Sequence, residues 1–185
     1  MQEGRPSAEI AGLSGPLSET PWSADFMMQS IEVLPVMKRD DRICHFAPEH
    51  ADSLILGWPA GKKPEVIAAG AIEQLGLRPL VLHSTSWRHA GPEVILTYIC
   101  VVDPLAEPPE FWVLTPVVRT ELARGEATAP PTDIGVLQVL EHALRHVAWL
   151  AKDDPTIKSE LADWSTALAS YVPEPFRAFG GPSPA

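Results

Sequence analysis

Apolar positions along this chain change period several times, and each change marks an element. Between Pro64 and Leu75, residues Ile67, Ala68, Ala71, Ile72 and Leu75 recur at helical spacing, which predicts a helix opening on proline. Gly76 is placed as its left-handed stop, with Leu77 packing back on Ile72. Gly70 interrupts this helix at a cost of about 1 kcal/mol relative to alanine and predicts a close approach to another backbone. Arg78-Pro79 then begins an alternating run. Val81, His83, Thr85 and Trp87 fall on one face, and Leu80, Leu82, Ser84 and Ser86 on the other. Ala90-Gly91-Pro92 is a turn signal. Val94–Val102 is apolar on both faces, as expected of a central strand. Phe111–Val118 adds a further strand, confined by Pro116 to an edge or a bulge.

The flanks are read the same way. Trp22-Ser23 opens a short helix carrying Phe26, Met27, Ser30 and Leu34 and limited by Pro35. Two short strands follow, Arg42–Phe46 and Ser53–Trp58. Thr132 caps the best helix, Asp133–Lys152, with a core stripe of Leu137, Leu140, Leu144, Val147 and Ala151, widened by Val136, Ala143 and Leu150. Asp154-Pro155 starts a last helix carrying Leu161, Trp164, Leu168 and Tyr171, which Pro173 ends. Residues 1–21 read as a disordered arm, 22–179 as one globular domain and 180–185 as a flexible tail. The expected class is α/β or α+β: one mixed, mostly antiparallel sheet of about five strands covered by three helices.

Composition narrows the function. At 45% hydrophobic and 21% charged, the chain is globular, and its 20 prolines favour short elements. A net charge of −10 repels phosphate backbones, so nucleic acid is not an expected partner. The longest apolar runs are too short to cross a bilayer, so no membrane is expected either. Two cysteines, Cys44 and Cys100, form no CxxC pair, and no basic start precedes an apolar core, which points to a cytoplasmic, reducing setting.

The densest polar cluster is His83-Ser84-Thr85-Ser86-Trp87-Arg88. Trp87 can stack on a planar group, Arg88 offers a fork of donors to an anion, and His83 can move a proton. The competing reading is a sheet face packed under a helix. His142 and His146 stand four apart, the spacing of half a zinc site, but HExxH is absent. Glu141 is placed for an ion pair with Arg145. Cys44-His45 and His50 match no familiar metal spacing, and Cys100 is expected to be a buried, unreactive thiol. No GxSxG, GxGxxG or Walker loop occurs.

The order of elements around residues 64–102, a turn, a helix ending in Gly-apolar, two strands and a later C-terminal helix, resembles that of a Nudix domain. Trp58-Pro59-Ala60-Gly61 stands in the place of that family's Gly-rich turn, and Glu73-Gln74-Leu75-Gly76-Leu77 resembles the end of its catalytic helix. Gln74 stands where the family has a second glutamate, Ala69-Gly70 where it has Arg-Glu, and the intervening segment is shorter. The resemblance implies a sheet-and-helix core. Metal-dependent phosphoanhydride cleavage needs several carboxylates around Mg²⁺, and here Glu73 and Glu65 remain. The expected function is therefore a non-catalytic ligand- or partner-binding regulatory module, binding through His83, Thr85, Trp87, Arg88 and Glu73, with no resident metal or cofactor. Exposed tryptophans, Trp22, Trp58, Trp87 and Trp112, would serve a protein partner. The alternative is a hydrolase of nucleotide-like phosphates using Glu73 and Mg²⁺.

Overall fold

A computed structural model describes residues 28–90, 92–122 and 134–172. In chain order the elements are β1 (Met28–Arg39), β2 (Arg42–Pro48), β3 (Leu54–Gly57), α1 (Pro64–Gln74), β4 (Pro79–Ala90), β5 (Glu93–Val102), β6 (Trp112–Pro116), α2 (Val136–Asp153), α3 (Pro155–Glu160) and α4 (Ser165–Leu168), with a 3-10 turn at Ala162–Trp164. All six strands join one sheet in the order β4-β5-β1-β2-β6, with β3 also paired to β1. Only β1 and β5 run parallel; the other pairs are antiparallel. The class is therefore α+β with a mixed, mostly antiparallel sheet, as expected.

The strand beyond the five expected is β1, which the sequence misassigned. Met28–Arg39 is a strand, so the helix expected through Ser30 and Leu34 does not form there. Residues 22–27 of that helix, the 1–21 arm, the 180–185 tail, the Thr132 cap and Pro173 lie outside the described residues. β1 is buried on both faces from Ser30 to Met37, so its apolar residues do not alternate, and a continuous apolar run does not separate strand from helix. Pro35 is tolerated in this central strand for a geometric reason. β3 pairs with Ser30–Val33 and β2 with Val36–Arg39, which leaves Pro35 in the gap between them. Gln29 accepts a hydrogen bond from the Trp58 backbone N–H, so odd-numbered residues of β1 aim their backbone groups toward the β2/β3 side. The N–H that proline lacks is thus one that no ladder partner needs.

α1 begins on Pro64 and ends as its sequence predicts. Gly76 takes φ +75°, its N–H donates to the Glu73 carbonyl, and the Leu77 N–H donates to the Ile72 carbonyl. Gly70 departs from expectation: a Cβ built there meets nothing within 4 Å. The β1–β2 hairpin turns through Asp40 and Asp41, both at positive φ. α2 starts at Val136, capped by Gly135, whose N–H donates to Gln138 Oε1. Its buried stripe is Val139, Leu140, Ala143, Leu144, Val147 and Ala148; Leu137, expected in the core, is exposed. Asp154 caps α3 by accepting from the Thr156 and Ile157 N–H groups. The last helix breaks into α3, the 3-10 turn and α4, yet Leu161, Trp164, Leu168 and Tyr171 are all buried as expected.

Two apolar clusters result, one on each face of the sheet. α1 covers Ile31, Val33, Phe46, Tyr98 and Cys100 through Ala68 and Ile72. α2 and the C-terminal turns cover Leu34, Val36, Ile43, Val81, Ile99 and Val101. The two helix glycines should respond to alanine in opposite directions. Gly76→Ala forces a side chain into the left-handed region and is expected to lower unfolding free energy by about 1–2 kcal/mol. Gly70→Ala is expected to raise it by about 1 kcal/mol. Urea denaturation of both variants checks the pair.

Candidate functional site

Faces of the sheet are assigned by what covers them. On the α2 face, helix cover reaches only part of the sheet. Beyond it the same face carries Ser30 and Glu32 of β1, Thr97 of β5 and Arg88 of β4. The strand β4 reaches this face through a bulge. Ser84 pairs with Tyr98 and Ser86 with Thr97, so Thr85 is the extra residue between them. One extra residue reverses the alternation beyond it. His83 therefore lies on the α2 face, and past the bulge Ser86 and Arg88 share that face while Trp87 turns to the other. Thr85 is buried, its Oγ1 3.4 Å from the Thr97 carbonyl oxygen.

Glu32 is the buried charge of this face, 3% exposed. Arg88 grips it with two nitrogens, Nη1 at 2.6 Å from Oε2 and Nη2 at 2.8 Å from Oε1. Thr97 Oγ1 donates to Oε2 at 2.9 Å and Ser53 Oγ to Oε1 at 2.9 Å. Burial alone would raise the Glu32 pKa. The hydrogen bonds and charge of Arg88, joined by Thr97 and Ser53, outweigh burial and hold it below the usual carboxylate value. The anion is fully bonded, and so is the guanidinium fork that faces it.

His45 of β2 lies further along the same face, opposite Val36, and is 7% exposed. Among the described residues its Nε2 is the only buried side-chain nitrogen or oxygen without a hydrogen-bond partner. Burial lowers its pKa to about 4 against the opposing pull of Glu32 and Asp52, so the ring is neutral at pH 7. His45 lines an open groove of about 340 Å³ between β2, β6 and the first turns of α2. Ala47, Pro48, Val113, Val117, Val136, Leu137 and Leu140 make its walls apolar, and Glu49 and Asp52 lie on its exposed rim. A larger open groove of about 420 Å³ on the other face is lined by Arg39, Asp40, Arg42, Cys44, Leu114 and Pro116. Among the described residues, no unpartnered buried side-chain nitrogen or oxygen lines that second groove, so His45 singles out the first.

The remaining sequence candidates separate. His83 does not join Arg88; its ring meets His146 at 5.8 Å between centroids, and His146 meets His142 at 4.6 Å. Burial lowers the pKa of His83. Burial and then the neighbouring imidazoles lower that of His146. Trp87 is 64% exposed and packs edge-on against His89. Glu73 is exposed on α1, across the sheet from His83 and Arg88, as is Glu65. The five residues expected to bind together are thus spread over both faces. Trp58 and Trp112 are partly buried against the α1-face cluster, and Trp58 Nε1 donates to the Lys62 carbonyl. The Glu141–Arg145 pair forms as expected, with Glu141 buried to 1% and a second clasp from Arg119, at 2.8 Å from both carboxylate oxygens. Cys44 and Cys100 are buried and free, and burial pushes the Cys100 thiol up to about 12. Among the described residues, no group of three or more His, Cys, Asp and Glu side chains is arranged to hold a metal ion.

Sequence reasoning missed Glu32 and the His45 groove. Glu32 fell in the misassigned first strand. His45 carried a signal: it occupies an inward position of a strand whose other inward residue is Ile43, a place where an unpaired imidazole is unusual.

No family model and no curated protein matches the chain. Its fold is similar to that of a MutT/nudix family protein from Enterococcus faecalis, at TM-score 0.49 and 10% identity, over 83% of this chain and 77% of that one. It is similar also to Shewanella oneidensis NrtR complexed with a 27mer DNA, at TM-score 0.45 and 10% identity, over 66% of this chain and 63% of NrtR. The chain thus spans less than two thirds of the length of NrtR. The first of these bears the description of the family that the 58–102 segment resembles; likeness at this level concerns fold alone. The second corrects one expectation. A net charge of −10 was read as excluding nucleic acid, yet a protein of similar fold was crystallised on DNA. Net charge sums the whole chain, whereas a nucleic acid meets one face. Among the described residues no helix is long and apolar enough to cross a membrane.

Two outcomes follow from this geometry. Arg88→Ala leaves Glu32 buried without its counter-charge and is expected to destabilise the fold by about 3–5 kcal/mol, measured by chemical denaturation. Stability should also fall with acid. The unfolded imidazole takes a proton near pH 6.5, while folded His45 resists it until about 4, so its contribution is complete above pH 6.5 and is lost toward pH 4. His45→Leu should flatten the loss between pH 6.5 and 4 in denaturation curves recorded across that range.

Proposed function

We propose that this chain is a non-catalytic, ligand-binding regulatory module with a Nudix-like core, and that its ligand enters the groove between β2, β6 and α2. One observation supports this reading: His45, more than nine-tenths buried, borders the groove, and its Nε2 has no hydrogen-bond partner in the protein. An unmet buried hydrogen-bonding group costs about 1–3 kcal/mol, which a ligand group or water reaching it would relieve. Apolar walls around one polar group are the usual make-up of a small-molecule site. Exposed Val113 and Leu137 at its edge add apolar surface that the fold itself does not cover.

The opposite reading, a metal-dependent hydrolase of nucleotide-like phosphates, receives less support. Glu65 and Glu73 stand on α1, and the polar residues Glu32, Arg88 and His45 stand on the other face. Phosphoryl cleavage would need such groups to converge. Two free buried thiols suit a cytoplasmic setting for the module.

Val113→Arg and Leu137→Arg, both at exposed positions, place a long side chain across the groove. A fragment library screened by NMR on the wild-type chain should yield molecules that shift the His45 and Leu140 signals. Those shifts should vanish in both variants while the melting temperature stays within about 2 °C, since exposed substitutions usually change stability by under 0.5 kcal/mol. Retained binding in both variants would move the site elsewhere. Turnover of nucleotide phosphates with Mg²⁺ that is lost in Glu73→Gln would replace the reading with the hydrolase.

A further inference from the structure

The charges around the groove are one-sided. Its thirteen lining residues include two carboxylates, Glu49 and Asp52, and neither lysine nor arginine. Arg88, on the same face of the sheet, is held bidentate by Glu32 and also donates to Thr97. Its end-on fork is thus already occupied. The first turn of α2 opens on the groove at Val136 and Leu137 and opposes this bias, but a helix N-terminus amounts to about half a positive charge against two full negative ones. At neutral pH the His45 ring carries no charge of its own.

We propose that the groove selects molecules with an apolar body and a protonated amine, and that it rejects those ending in a carboxylate or phosphate. The inference rests on the groove being the binding site. The apolar body would lie against Val113, Val117, Val136 and Leu140, where burial contributes roughly 25 cal/mol per Å². The ammonium end would sit at the rim between Glu49 and Asp52.

Three probes of nearly equal apolar size separate the possibilities: phenethylamine, 2-phenylethanol and 3-phenylpropionate. Each is titrated into the full chain at pH 7 and read by NMR at His45, Val113 and Leu140. Exposed ion pairs are worth about 0.2–1 kcal/mol each, so two carboxylates should favour the amine over the propionate by roughly two- to thirtyfold in Kd. In the Glu49→Gln/Asp52→Asn double variant that ratio should collapse toward one, with the affinity for 2-phenylethanol unchanged. Equal or tighter binding of the propionate, or a ratio that survives the double variant, overturns the charge selection and leaves the groove as the site. If no probe moves the His45 signal at tens of millimolar, both the selection and the groove reading fall.

Discussion

β1 is buried on both faces, and nearly every other feature follows from how its two sides are partnered. Along one edge it runs parallel to β5 for nine residue pairs; along the other it is shared between β3 and β2. The shared edge does two things. It accommodates Pro35 in the gap between the two partners. It also lets the chain leave the sheet between Pro48 and Leu54, which is where the groove rim, Glu49 and Asp52, comes from. A central strand cannot present a polar side chain without a partner for it. Glu32 meets that demand through Arg88, Thr97 and Ser53, and the bulge at Thr85 is what brings Arg88 to the right face.

The α2 face therefore divides into three zones. Under the helix it is apolar. At the far end it is a closed network around Glu32. Between them lies His45, which belongs to neither: it is buried and its Nε2 has no protein partner. A second buried carboxylate, Glu141, is handled in the same manner as Glu32, with Arg119 and Arg145 both bonded to it and Arg119 lying over Tyr171 at 4.3 Å. That clasp ties the segment after β6 to α2 and to the end of the chain's last turns. Two buried acids, each matched by arginine, make the unmatched imidazole of His45 stand out.

Much of the architecture was legible in residue order. The proline start and glycine stop of α1, the two-sided burial of β5, the edge position of β6 and the Asp154 cap of α3 are local rules, and they hold because each depends on a few neighbouring residues. β1 was not legible, because a strand buried on both faces loses the alternation that separates it from a helix. The stripe of α2 was placed correctly at Leu140, Leu144 and Val147 but wrongly at Leu137, because a wide apolar face on a helix does not say which of its edges meets the sheet.

The candidate site was less legible still, and for one reason. His83, Thr85, Trp87 and Arg88 are neighbours in sequence, and strict alternation would have kept the first three on one face. A single bulged residue sends His83 to the histidines of α2, Thr85 inward, Trp87 to the opposite surface and Arg88 to Glu32, which lies 56 residues away. Sequence alone determined every element but β1 in kind, because helix stops, caps and the alternation of half-exposed strands are written in short-range patterns of shape and hydrophobicity. Tertiary structure alone decided which polar groups meet, because a charge finds its partner across strands, and the sign of that meeting turns on register, which one extra residue reverses.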